Sequence, residues 1–122
     1  EIPFSPALPD ALAAVRTGQD LARVRRESAS NSARIAVDRA YANAQDAAER
    51  AELARRSAQL ERENERIVRL RAQAGAASDA AVRRAELQTR RADLDADRAV
   101  DDLRLAVFRL LDALAVDPES LE

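Results

Sequence analysis

The sequence predicts an all-α fold, a long antiparallel coiled-coil helical hairpin with one helix of about 65 residues, a tight turn and a second helix of about 37 residues. Three observations support this fold. Alanine, the best helix former, supplies most of an apolar content of 47%. Prolines occur only near the two ends, so nothing between Pro9 and Pro118 forbids a helix. Small apolar residues recur at alternating three- and four-residue intervals, which is typical of a coiled-coil seam.

The first nine residues, 1–9, are predicted to be an extended lead-in, because three prolines stand close together there. A long helix is then expected over residues 10–74, with Asp10 favourably placed near its N-terminus and Gly18 as one weak interruption. Such a helix is about 100 Å long at about 1.5 Å per residue. With two Phe, one Tyr and no Trp to fill a compact interior, the chain is expected to be a rod.

Residues 75–78 are predicted to form the turn, because helix stop and start signals stand side by side there. Gly75 can adopt the left-handed conformation that ends a helix, and Ser78 can cap the helix that follows. The second helix is expected over residues 79–116, and a tail over residues 117–122 begins with the Asp-Pro pair that ends it.

A seam of small residues is predicted on both helices from the same spacing. On the first helix it comprises Val37, Ala40, Ala44, Ala47, Ala51, Ala54 and Ala58. On the second helix it comprises Val82, Ala85, Thr89, Ala92, Ala96, Ala99, Leu103, Ala106, Leu110 and Ala113. Because these side chains are small, the two helices are expected to approach each other closely.

Three apolar regions are left without a partner by this pairing. The second helix reaches back only to about residue 40, so residues 10–38 stand alone. A second stripe at seven-residue intervals lies elsewhere on the first helix, at Leu53, Leu60, Ile67 and Ala74. Apolar side chains between residues 103 and 114 encircle the second helix. We therefore expect contacts with other subunits or with helices of the same longer chain. Because the sequence begins at Glu1 without Met, we expect it to be a processed product or a piece of something longer.

Residues with site chemistry are scarce. The absence of Cys and His argues against thiolate chemistry and ordinary zinc or haem sites. Arginines and acidic residues are interspersed and leave a net charge of −2, which argues against nucleic-acid binding. Five aspartates between residues 93 and 102 are not expected to bind metal, because carboxylates two positions apart on a helix point to different sides. We expect no enzymatic activity, no cofactor, no metal site and no insertion into a membrane.

Three segments carry a family resemblance. They are Ile2-Pro3-Phe4 in the lead-in, Arg69-Leu-Arg-Ala-Gln-Ala-Gly-Ala-Ala-Ser78 at the turn and Leu105-Ala-Val-Phe-Arg-Leu-Leu-Asp-Ala-Leu114 near the end. They resemble the apolar-Pro-apolar strand, the Arg-rich periplasmic turn and the closing Leu-x-x-Ala-Leu-Gly segment in the second repeat of TolC-type outer-membrane efflux proteins. Val82 and Ala85 match part of that family's Asp-Val-Leu-x-Ala run, whereas Ala81 replaces its Asp and Arg83 its Leu.

The resemblance implies a periplasmic α-helical tunnel segment of an outer-membrane efflux or secretion channel in the bacterial cell envelope, assembled as a homotrimer. It also implies that the turn docks onto a membrane-fusion adaptor protein through Gly75, Ala76, Ala77 and Ser78. Two alternatives stay open, the α-hairpin of the adaptor itself and an unrelated coiled-coil scaffold. The adaptor hairpin has a similar turn, but its arms are usually of similar length, whereas the arms predicted here are unequal.

Overall fold

Two long α-helices and the turn between them make up residues 7–115, the part of the chain that the computed structural model describes. Helix α1 spans Ala7–Gln73 and helix α2 spans Asp79–Ala115. The described residues contain no strand. The chain reverses direction between the helices, and α2 packs against part of the length of α1. The all-α helical hairpin predicted from the sequence is therefore confirmed.

The start of helix α1 differs from the sequence prediction. The helix begins at Ala7, so the boundary expected at Asp10 is three residues too late and Pro9 is helical. Proline is tolerated there because the first N–H groups of a helix have no carbonyl partner within the helix, and a missing N–H costs nothing. The rest of the expected lead-in, residues 1–6, and the expected end of the second helix and tail, residues 116–122, lie outside the described residues.

Burial follows the predicted seam. The buried apolar residues are Ala44, Ala51 and Ala58 on α1 and Ala85 and Ala92 on α2, and the buried polar residue is Thr89. The other proposed seam positions are half-buried: Val37, Ala40, Ala47, Ala54, Val82, Ala96, Ala99, Leu103, Ala106, Leu110 and Ala113. No large side chain of the described residues is fully buried. The contact between the helices is therefore narrow and close, and it buries mainly methyl groups and backbone.

Helix α1 is much longer than its partner, with 67 residues against 37. The last turns of α2 lie near Ala36 and Arg39, which share a groove with Leu105 and Arg109. The N-terminal part of α1 therefore extends beyond the end of α2. The exposed large apolar side chains of α1 between residues 9 and 36 are Leu12, Val15, Leu21, Val24 and Ile35.

Candidate docking turn and outer helix faces

The turn begins with a well-formed helix stop. Gly75 has a φ of 76°, in the left-handed region that side chains with a Cβ rarely adopt. Its N–H donates to the carbonyl oxygen of Ala72 at 3.0 Å, and the N–H of Ala76 donates to the carbonyl oxygen of Arg71 at 2.7 Å. This pair of bonds is the Schellman motif, which provides partners for the last carbonyl groups of α1.

The turn ends with an N-cap. The N–H of Ala81 donates to the Oγ of Ser78 at 3.1 Å, and the N–H of Val82 donates to the carbonyl oxygen of Ser78 at 3.2 Å. The predicted roles of Gly75 and Ser78 as helix stop and cap are confirmed. In the turn, Gly75, Ala76 and Ser78 are exposed and Ala77 is half-buried. These backbone groups of the turn therefore have hydrogen-bond partners within the chain. A docking partner would contact the side chains of the turn and of the helix residues beside it.

Two ion pairs join the helices near the turn. Arg69 contacts Glu86 across the hairpin at 2.8 Å and Glu65 on its own helix at 2.7 Å. The hydrogen bond that Arg69 donates to the Glu86 carboxylate, with the charge of Glu65, raises the pKa of the Arg69 guanidinium above its ordinary value. About two helical turns further from the turn of the hairpin, Arg62 contacts Asp93 at 2.6 Å. Neither of these cross-helix contacts was predicted from the sequence.

The seam also extends further toward the turn than predicted. After Ala58 the same spacing continues through half-buried Glu61, Glu65, Val68 and Ala72. Charged residues at two of these positions hid the pattern in the sequence, because a search for small apolar residues ends at the first glutamate. Long side chains can occupy such positions by packing their methylene groups at the contact and extending their charged ends to solvent.

Both helices carry exposed apolar side chains outside the seam. On α2, a seam residue lies two positions before and two positions after both Leu87 and Leu94. Because successive residues of an α-helix are rotated by about 100°, this spacing places the two leucines opposite the seam. Leu94 is 56% exposed. On α1, Leu53 and Leu60 lie outside the seam, and Leu60 is 71% exposed. The hairpin thus has two separate outer faces with exposed leucines, which we call the α1 outer face and the α2 outer face.

Residues 7–115 offer little chemistry for other kinds of site. The described part of the chain contains no group of three or more carboxylates placed to hold a metal ion. Neither α1 nor α2 is apolar enough over a sufficient length to cross a bilayer. An open groove of about 500 Å³ runs beside the seam between Asp46 and Asp102, with Arg50 and Arg109 on its rim. These charged groups line a groove between α1 and α2 that is open to solvent. They do not bring a nucleophile and a base together.

Comparison with known proteins adds no relative, since no protein-family model, curated protein or solved structure matches the chain. The functional assignment therefore rests on the segments quoted from the sequence, the geometry of the turn and the two outer faces.

Proposed function

We propose that the chain is a wall segment of the periplasmic α-helical tunnel of a bacterial outer-membrane efflux or secretion channel, and that its turn docks onto a membrane-fusion adaptor. The segment performs no catalytic step, and it contributes to a conduit through its shape. The observation that carries the proposal is the pair of outer faces, exemplified by Leu60 on α1 and Leu94 on α2, both largely exposed.

A hairpin with one apolar face on each outer side is suited to having a helical neighbour on each side. If the α1 outer face of one hairpin packs against the α2 outer face of the next, the contact is heterologous, and its repetition forms a ring where the rotation between neighbours closes. A ring of parallel rods encloses a central passage. A homotrimer of the TolC type is one such closed ring, and an isolated two-helix scaffold has no use for two outer apolar faces.

The unequal arms favour the channel over the adaptor hairpin. The N-terminal part of α1 extends beyond the end of α2 and exposes Leu12, Val15, Leu21 and Val24, so another helix is needed to cover them. In the channel reading, this helix comes from another part of the same longer chain or from a neighbouring subunit. A stand-alone adaptor hairpin with arms of similar length has no such requirement.

Turn variants in the full-length protein test whether the turn docks onto the adaptor. Gly75→Pro removes an N–H that ends α1 and cannot adopt the positive φ, while Ser78→Ala removes the cap and costs about 1 kcal/mol. The assay measures drug or metal tolerance, the membrane level of the trimer and crosslinking to the adaptor, with Arg50→Ala as a distant control. We expect tolerance and crosslinking to fall more than trimer level. Full tolerance and full crosslinking at normal abundance would exclude the turn as the docking site.

Charged residues placed on the outer faces test whether neighbouring hairpins pack through these faces to form the tunnel wall. Leu60→Arg and Leu94→Arg should reduce the trimer, because each buries a guanidinium in the contact between neighbouring hairpins. Gln59→Arg is the matched control, since Gln59 is the exposed neighbour of Leu60 and lies off the outer apolar stripe. Trimer levels are measured by native electrophoresis of membrane extracts. Equal levels in all three variants would mean that the outer faces are not walls of a ring.

A further inference from the structure

Charge is distributed unevenly along the hairpin. Residues 66–91, which include the turn and the helix ends beside it, contain seven arginines and only two carboxylates. Residues 36–65 contain five arginines and seven carboxylates, and residues 92–115 contain three arginines and six aspartates. The end of the rod at the turn is therefore basic, while the paired helices behind it are acidic. A net charge near zero for the whole chain conceals this polarity.

Ion pairs within the hairpin account for only part of the basic end. Arg66 and Arg69 have carboxylate partners, but Arg71, Arg83 and Arg84 are exposed and form no ion pair with any described residue. Arg71 is in the last turn of α1, where its charge is favourable to the helix dipole, whereas Arg83 and Arg84 lie in the second turn of α2, where the dipole gives them no such support. These three arginines, which we call the turn arginines, are therefore available to an outside group.

Exposed leucines lie among the turn arginines. Leu70 on α1 and Leu87 on α2 are both about half exposed. Arginine together with exposed apolar side chains is the composition of protein interfaces, where a guanidinium pairs with a carboxylate and its stem packs on apolar surface. A surface that binds only phosphate groups, such as those of a nucleic acid, uses charged and polar side chains, and exposed leucines do not contribute to such binding.

Assembly makes the polarity stronger. In a ring of parallel hairpins, all turns lie at the same rim, so the turn arginines of neighbouring hairpins are brought close together. Like charges at such a rim repel one another and raise the local positive potential. An anionic partner at the rim removes this repulsion, and its binding and the closure of the rim then favour each other.

We propose that the surface met by the turn is acidic, namely an adaptor tip whose Asp and Glu side chains pair with Arg71, Arg83 and Arg84 around an apolar contact at Leu70. This inference rests on the proposed function, because it takes the turn as the docking end. It adds the chemistry of the partner, which the resemblance does not specify.

The test uses the full-length protein with a photo-crosslinking amino acid at Ala76, an exposed turn position. Crosslinked peptides are identified by mass spectrometry. The charge reversal Arg83→Glu with Arg84→Glu is compared with the control Arg98→Glu with Arg109→Glu, two exposed and unpaired arginines further along α2. Arg71→Glu supplies an independent variant on α1. Trimer level in the membrane is measured for every variant, so that a folding defect is recognised separately from lost docking.

We expect a crosslink to an Asp- and Glu-rich adaptor segment, weakened about tenfold by reversal of the turn arginines and unaffected by the control. Changing the crosslinked acidic residues to Arg should restore the yield with the reversed chain. A crosslink to an adaptor segment that lacks acidic residues, with no effect of reversal, overturns this inference and leaves the docking proposal standing. A crosslink to an acidic protein other than an adaptor supports the acidic partner and overturns the adaptor assignment. A crosslink to lipid or nucleic acid overturns both.

Discussion

The hydroxyl oxygen of Thr89 lies 3.2 Å from the backbone carbonyl oxygen of Glu61 on the opposite helix. The same hydroxyl lies 3.1 Å from the carbonyl oxygen of Ala85, one turn earlier in α2, and its single proton is donated to one of the two at a time. A side chain this short reaches the neighbouring backbone only where the helices nearly touch. The alanine methyl groups at Ala58 and Ala92 on the two seams allow this approach.

Thr89→Val should lower the free energy of unfolding by about 0.5–1.5 kcal/mol, because valine keeps the shape of threonine and removes the hydroxyl that bonds across the seam. Urea denaturation followed by circular dichroism measures the change. Thr17→Val is the matched control, since the Thr17 hydroxyl bonds only to Ala13 on its own helix. If both variants shift the midpoint equally, the bond to Glu61 adds no stability.

Overpacking the seam should also destabilise the hairpin. Ala58 is only 3% exposed, so Ala58→Leu forces the helices apart and should cost about 1–3 kcal/mol, as should Ala92→Leu and Ala47→Leu on the same seam. Ala48→Leu introduces the same side chain at an exposed position and should change little. Thermal melting of the four variants checks this prediction. Unchanged melting in the seam variants would show that the small residues are not needed for packing.

The two glycines should respond to alanine with opposite signs. Gly75→Ala should destabilise the chain by about 1–2 kcal/mol, because the φ of 76° brings a Cβ too close to the following carbonyl oxygen. Gly18→Ala should stabilise α1 by about 0.5–1 kcal/mol, since Gly18 lies within a helix. Beyond the adjacent residues and the local helix backbone, no atom lies within 4 Å of the Cβ position at either glycine, so contacts with the rest of the chain do not obscure the comparison. Unfolding curves with the same sign for both would contradict the assigned turn conformation.

The pair of Glu63 and Arg66 makes helix stability depend on pH. The hydrogen bond from Arg66 lowers the pKa of the Glu63 carboxyl below its ordinary value. A carboxyl whose pKa is lowered on folding stabilises the folded state above its unfolded pKa, and loses this contribution as pH falls through the lowered value. Wild type should therefore be more stable than Glu63→Gln at neutral pH and equal to it in strong acid. A difference that grows on acidification, measured by thermal melting across pH, would contradict this sign.

Self-association should follow from the apolar surfaces that one hairpin leaves uncovered, in residues 10–38 and 103–114. Sedimentation at micromolar concentrations should show oligomers, because exposed apolar side chains in both regions gain from mutual burial. Leu12→Glu with Val24→Glu should shift the distribution toward smaller species, whereas Ala48→Glu, at an exposed site in the paired region, should not. A strict monomer for the unchanged chain would refute the expectation.

Much of this fold could be read from local patterns. Proline positions, the Gly75 and Ser78 signals and the spacing of alanines each depend on a few neighbouring residues, so the number of helices, the turn and most seam residues were predictable from sequence. The first residue of α1 could not be predicted from the sequence, because a proline can either precede a helix or occupy its first turn, and the choice at Pro9 depends on how the preceding residues fold.

The sequence by itself determined that two helices form, where they meet the turn and which faces carry small residues, since each follows from the 3.6-residue period and the backbone preferences of single residues. Only the tertiary structure decided which side chains meet across the hairpin. Arg69 with Glu86, Arg62 with Asp93, and Thr89 with Glu61 depend on the axial stagger and rotation of one helix against the other. A shift of one turn along the axis exchanges all these partners and preserves every local pattern, so periodicity alone cannot specify them.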